Sequence, residues 1–256
     1  MEDQARAVGC QLVILCSHND PAIEEAAILT LRSMKVQGMV ITAVASDRNR
    51  GLYASLAHEV RLVFLDSYVV PDCNFVMNDN AQSMGLLVGH MLAQGQVPAY
   101  LGAPADARPS HDERLQGYIA AMTKAGQLPC IIPIDPAQQT WDFEAFALAQ
   151  VSRWLAEGEN AKLGALICAT DRLALGAMRA YRQAGREPGR DILIAGHDDV
   201  PMCEYIHPAL STAQQDLEAI GRAAIECLQQ TAQPGFYQRR FPARLVVRES
   251  SGKLKA

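Results

Sequence analysis

The stretch Ala165-Leu-Ile-Cys-Ala-Thr-Asp-Arg-Leu-Ala-Leu-Gly-Ala-Met-Arg-Ala180 carries a complete strand-to-helix unit. Ala165–Ala169 is a short apolar run with no polar position, the pattern of a strand buried on both faces. Thr170 places a hydroxyl where a helix N-cap belongs, and Asp171 puts a negative charge in the first turn. Helical spacing continues to Ala184, and Gly185 sits where a C-cap is expected. A buried strand running straight into a helix is the repeating unit of a helix-covered parallel sheet.

The same alternation extends in both directions. Leu12–Cys16, Gly38–Val44, Arg61–Asp66, Val97–Ala103, Cys130–Ile134, Gly164–Ala169 and Ile192–Gly196 read as strands buried on both faces. Helical segments lie between and after them. Asp20-Pro21 opens the first, with Asp as N-cap and Pro at the first helical position. Asp79–Ala93, Ser110–Ala125, Asp142–Ala156, Asp171–Ala184 and Asp216–Gln229 follow. Near the end Leu210–Gln215 is extended, Pro234-Gly235 breaks the last helix, and Arg244–Arg248 reads as a final strand. The fold class is therefore α/β, with doubly wound parallel sheets.

Composition narrows the function. The chain has 256 residues, 49% hydrophobic and 20% charged, with 23 basic against 28 acidic side chains and a formal charge of −5. That length suffices for one large domain or two ordinary ones, and an overall basic footprint for nucleic acid is missing. No apolar run nears the roughly 18 residues of a membrane span. The acidic start has no apolar signal core, so no export and a cytoplasmic location are expected. The seven cysteines are Cys10, Cys16, Cys73, Cys130, Cys168, Cys203 and Cys227; they form no CxxC, and most read as reduced core residues. Phosphate-loop, nucleophile-elbow and metalloprotease motifs are absent, and the six histidines have no metal spacing. The expectation is no catalytic residue, no metal and no cofactor.

What remains is a set of polar residues at the carboxyl ends of apolar strands, the edge where open parallel sheets bind ligands. Thr170 follows one such run, and His197, Asp198 and Asp199 follow another. Ser110 and Arg114 come shortly after the strand ending at Gly102, and Trp141 ends the loop after 131–136. A forked donor, carboxylate acceptors and an aromatic plate suit a polyol-like ligand. Each also has a plainer reading: Arg114 as a solvated helix charge, Asp198 and Asp79 as caps, Thr170 and Ser110 as N-caps, Trp141 as a core or surface aromatic.

Taken in order, Ala165–Ala180, then Asp191-Ile-Leu-Ile-Ala-Gly-His-Asp-Asp199, then Pro208-Ala-Leu-Ser-Thr212, resemble the effector-binding core of LacI/GalR-type transcription regulators. Ser110-His-Asp-Glu-Arg-Leu-Gln-Gly-Tyr118 is similar to that family's S-x-x-x-R-x-x-G-aromatic motif, and Leu245-Val-Val-Arg-Glu-Ser250 to its terminal strand. The resemblance implies a fold like type I periplasmic binding proteins, with two α/β lobes, three crossovers and a small sugar-like effector in the cleft. It places lobe 1 at about 1–96 and 213–238, and lobe 2 at about 97–212 and 239–256. Carried over residue by residue, the effector contacts are Arg114, Asp198, Trp141, Thr170, Ser110, Gln215 and Asp79. At Thr170 the family usually carries Asn, whose amide offers two donors where a hydroxyl offers one. Arg114→Ala or Asp198→Ala is expected to weaken the ligand with little loss of fold.

The resemblance also implies a homodimer along helix 171–184, where Leu175, Met178 and Tyr181 recur at helical spacing, and along Met202–Ile206. The family's DNA-binding headpiece, hinge and first strand have no counterpart ahead of Gln4–Cys10. Operator DNA is thus expected as a partner only if that headpiece is supplied. Arg239, Arg240, Arg244, Arg248, Lys253 and Lys255 make a basic C-terminal stretch, but strand alternation sends neighbours to opposite faces. A freestanding small-molecule-binding module is the alternative reading.

Overall fold

The computed structural model describes residues 1–44, 46–68, 72–104, 109–134, 140–158, 163–230 and 235–252. In chain order its helices are α1 Glu2–Ala7, α2 Pro21–Ser33, α3 Ser46–Glu59, α4 Asn80–Ala93, α5 Pro109–Lys124, α6 Phe143–Ala156, α7 Asp171–Gln183, α8 Met202–Tyr205 and α9 Leu217–Gln229. The strands are β1 Gly38–Ile41, β2 Arg61–Leu65, β3 Phe75–Asn78, β4 Pro98–Leu101, β5 Cys130–Ile131, β6 Ala165–Cys168, β7 Leu193–Asp198, β8 Ser211–Gln214, β9 Gln238–Phe241 and β10 Arg244–Val246. They fall into two units. The first holds Met1–Asn78, Ala107–Ser110 and Asp216–Phe241; the second holds Asp79–Asp106, His111–Gln215 and Pro242–Ala256. The division comes after Asn78, so α4, which the sequence reading takes with the first lobe, lies in the second unit.

The first unit is built on a four-stranded parallel sheet, β1-β2-β3-β9. Side-chain alternation gives it two apolar faces. Leu62, Phe64, Phe75 and Met77 join Ile28, Tyr53 and Leu56 of α2 and α3. Val63 and Val76 meet Ile220, Ala223, Ala224 and Cys227 of α9. Helix α2 starts as its sequence dictates: Pro21 at its first position and the Asp20 carboxylate accepting from Ala22 N at 2.7 Å. Buried Glu24 ties α2 to α3 by accepting from Tyr53 Oη at 2.6 Å and Asn49 Nδ2 at 2.7 Å.

The second unit has six strands in the order β10-β8-β7-β6-β4-β5. Those from β8 to β5 are all parallel, and β10 closes the edge antiparallel to β8. Every residue of β4 and β6 is buried, as an uninterrupted apolar run in a sheet covered on both faces requires. Helix α4 packs on β4, β6, β8 and β10, and α7 on β6, β7 and α6.

Four points of the sequence reading need correction here. Leu12–Cys16 is not a strand: it joins no ladder among the described residues, and Ile14 is 78% exposed. An apolar run supplies side chains, but a strand exists only where its backbone finds a partner. Conversely, β9 (Gln-Arg-Arg-Phe) is polar and exposed, and is held as a strand by pairing with β3. Helix α3, unmarked on the sequence, buries only Tyr53 and Leu56 among its apolar positions and carries Gly51 in its interior. Lastly, Cys10 and Cys16 are exposed, whereas Cys73, Cys168, Cys203 and Cys227 are buried. Lys253 and Lys255 lie outside the described residues.

Candidate functional site

The carboxyl ends of β4, β6, β7 and β8, adjacent in the second sheet, carry the candidate residues. Arg114 stands in the second turn of α5, which follows β4. Thr170 follows β6, Asp198 ends β7, and Gln215 follows β8. Neighbouring parallel strands bring together residues more than 30 positions apart in the chain.

Arg114 is the centre of this group and is only 2% exposed. Its Nη1 donates to the Ala169 carbonyl at 2.7 Å, its Nε donates to Asn80 Oδ1 at 3.0 Å, and its Nη2 lies 3.3 Å from Asp198 Oδ1. The same Oδ1 accepts from Gln215 Nε2 at 2.7 Å and faces His197 Nδ1 at 2.8 Å. His197 is fully buried, and its Nε2 lies 2.9 Å from Ser83 Oγ. Asn80 and Ser83 lie on the first turn of α4, so one network joins α4, α5, β6, β7 and the exit of β8. The close approach of α4 and α5 rests on Gly117: a Cβ there would stand 2.9 Å from the Ala81 Cα.

Charge states follow from these surroundings. Burial would raise the Asp198 carboxyl, but Arg114, His197 and Gln215 outweigh it and hold the group below the ordinary range. Asp198 is therefore an anion at neutral pH. Burial and the Arg114 charge push His197 down to about 4, against the pull of Asp198, leaving a neutral imidazole. Behind them sits Asp171, raised to about 6 by burial and by the Asp198 charge. It accepts from Thr212 Oγ1 at 2.6 Å and from Val200 N at 2.9 Å. Gly196 makes room for it, since a Cβ on that residue would lie 2.2 Å from Asp171 Oδ1.

At the end of β7 the backbone leaves the ordinary regions: Asp198 has φ 118° and Asp199 φ 60°. Two successive non-glycine residues at positive φ turn the chain sharply, and such strain clusters where a side chain must be aimed. Asp199 is held by Arg248 Nη1 at 2.7 Å and by Gln214 Nε2 at 2.5 Å, so it serves the turn.

Of the seven residues expected at the site, Arg114 and Gln215 both contact Asp198. Thr170 caps α7, accepting from Leu173 N at 3.3 Å, beside the carbonyl that holds Arg114. Asp79 caps α4 through Gln82 N at 3.0 Å. Trp141 is 40% exposed and stacks on Phe143, ring centroids 5.4 Å apart. Ser110 is fully buried in the segment that divides with the first unit, and its hydroxyl has no hydrogen-bond partner among the described residues. Sequence reasoning missed Asn80 and Ser83 altogether and left His197 unassigned. Polar residues three apart on the first turn of a mostly apolar helix were the only signal. The burial of Arg114 also removes the expectation that its loss would spare the fold.

Two further findings bear on partners. Met178 and Tyr181 are buried in the core of the second unit, Leu175 of the same stripe is half-buried, and Met202 and Tyr205 of α8 are exposed. In the basic stretch, Arg248 pairs with Asp199 and Glu204, and Arg244 bonds Gln214. Among the described residues there is no cluster of three His, Cys, Asp or Glu able to hold a metal ion, and no helix long and apolar enough to cross a membrane.

Two α/β units, each built on a largely parallel sheet, define a fold of the periplasmic-binding-protein type. Comparison with known proteins agrees. The profile of the periplasmic binding protein-like domain matches residues 88–251. The ribose operon repressor of Halalkalibacterium halodurans is 26% identical over 256 residues, covering 98% of this chain and 73% of that protein. The lactose operon repressor of Escherichia coli K12 is 29% identical over 210 residues, covering 82% of this chain and 56% of that protein. A crystal structure of the Lac repressor dimer bound to operator and the anti-inducer ONPF superposes with a TM-score of 0.84 at 25% identity, over 98% of this chain and 74% of that one. The chain belongs to the periplasmic binding protein-like domain family and is an effector-binding core of the LacI type. It spans little more than half the length of the lactose repressor it matches.

Proposed function

We propose that the chain binds a small sugar-like effector at the carboxyl edge of the second sheet and acts within a cytoplasmic, dimeric transcription regulator. The observation that carries this reading is the Arg114–Asp198 pair, a buried guanidinium beside a part-exposed carboxylate on adjoining strand ends. Asp198 accepts from ligand hydroxyls. Arg114 and Thr170 donate to them, and the Trp141 ring covers an apolar sugar face. Gln215 and Asp79 complete the set within the second unit. The ligand leaves unchanged: relatives named as ribose and lactose operon repressors support regulation over turnover. Exposed Met202 and Tyr205 of α8 are the part of the dimer surface that remains after Met178 and Tyr181 are assigned to the core.

A thermal-shift panel of pentoses, hexoses, disaccharides and sugar acids tests the reading. A ligand at 100 times its Kd stabilises by about 2.7 kcal/mol, and Asp198→Asn should abolish the shift. A panel in which no sugar stabilises the protein at 10 mM, or one in which Asp198→Asn responds like the parent, would overturn it.

A further inference from the structure

We propose that His197 is a positioning residue for the effector site: its neutral imidazole, anchored on Ser83, fixes the Asp198 carboxylate so that Oδ1 faces the protein and Oδ2 faces the ligand. This rests on the sugar-binding reading above and adds a residue that the strand-end pattern does not assign.

Among the described residues, His197 Nδ1, Gln215 Nε2 and Arg114 Nη2 all converge on Oδ1. The side chain nevertheless keeps 29% of its surface exposed. One oxygen is saturated by protein, and the other carries the capacity left for a hydroxyl. An ionised carboxylate only accepts, so the His197 Nδ1 that faces it at 2.8 Å must bear the proton. A neutral ring then leaves Nε2 as an acceptor facing the Ser83 hydroxyl at 2.9 Å, whose one hydrogen is shared between this nitrogen and the Asn80 carbonyl. The Asp198 carboxylate thus selects the tautomer protonated on Nδ1.

Ser83 is well placed to hold it. It is fully buried on the first turn of α4, and its Oγ also lies 3.0 Å from the Asn80 carbonyl. Asn80 in turn accepts from Arg114 Nε. The ring Ser83–His197–Asp198–Arg114–Asn80 closes on itself, so both ligand-facing groups are oriented from α4. Without His197, Asp198 keeps two donors from long side chains and gains torsional freedom about χ2. The charged groups facing the imidazole are Asp198 and Arg114, and His111 adds a weaker effect.

The test has two arms. In the ligand-free protein, imidazole 15N shifts at pH 7 should show His197 protonated on Nδ1 only, with the Nε2 shift moving in Ser83→Ala. The Asp198 carboxyl, followed by 13C NMR, should titrate higher in His197→Leu and return towards the parent value in His197→Asn, whose amide replaces the Nδ1 donor. A ring protonated on Nε2 alone, or an Asp198 midpoint unchanged in His197→Leu, overturns the proposal. In the second arm, with D-ribose as the probe, His197→Leu should lose about tenfold in affinity and His197→Asn less than threefold. Equal loss in both variants shows mere packing and also overturns it. If D-ribose does not bind the parent protein, the choice of sugar fails while the NMR arm still decides the role of His197.

Discussion

Replacing Arg114 by Met keeps the unbranched volume and removes the charge, and the structure sets the cost. The guanidinium is 2% exposed and bonds the Ala169 carbonyl, the Asn80 amide oxygen and the Asp198 carboxylate. Breaking a buried ion pair from one side costs about 3–5 kcal/mol because the remaining charge stays uncompensated. Asp198 keeps its His197 and Gln215 donors and 29% exposure, which brings that contribution towards the low end. The Ala169 carbonyl and the Asn80 amide oxygen each lose a charged donor, which adds about 1 kcal/mol apiece. The expected loss is about 5 kcal/mol, a large part of the stability of an ordinary domain. Both tryptophans, Trp141 and Trp154, lie in the second unit, so urea unfolding followed by fluorescence reports the unit that contains Arg114. Asp198→Asn measured alone and combined with Arg114→Met completes the cycle. The double variant should be more stable than the sum of the two losses implies, by about 1–3 kcal/mol. A loss below 1 kcal/mol for Arg114→Met, or a coupling of zero, would refute the buried pair as the organiser of the site.

Two further predictions use the end of β7. Asp198→Gly and Asp198→Ala both delete the carboxylate, yet φ 118° suits only glycine, so the Gly variant should unfold at higher urea by about 1 kcal/mol; the reverse order would show that the backbone there is not held at positive φ. His197, pushed down to about 4 from 6.5, contributes stability that is full above pH 6.5 and is lost as pH falls towards 4. Between pH 7.5 and 5 the parent should therefore lose about 2 kcal/mol more than His197→Asn. Parallel pH profiles in urea would mean that the ring protonates freely in the folded state.

How far the sequence could be read depends on where each residue gets its partner. β6 and α7 were legible because Ala165–Ala169 is buried on both faces by its own composition and Thr170 caps its own helix. Leu12–Cys16 has the same composition and forms no strand, while Gln238–Phe241 has the opposite composition and forms one. Gln238–Phe241 is a strand because β3 offers it a backbone edge, whereas Leu12–Cys16 joins no ladder among the described residues; pairing, not composition, separates the two. The site divides along the same line. Arg114 and Asp198 could be picked out because position after a parallel strand is visible in one dimension. Asn80, Ser83 and the role of His197 could not, because their meaning arises only where α4, α5 and β7 meet, across separations of 34 and 114 residues. Those unseen residues are also the ones that fix a proton. A strand-end carboxylate by itself is a flexible acceptor. Once Oδ1 is occupied by three donors from three elements, it becomes an acceptor with one free oxygen and one direction. Selectivity among sugars that differ in a single hydroxyl depends on that direction, since a fixed acceptor rejects a ligand lacking the matching donor far more strongly than an apolar wall can. The discriminating power proposed for this site therefore resides in α4, a helix whose own sequence looks like ordinary core.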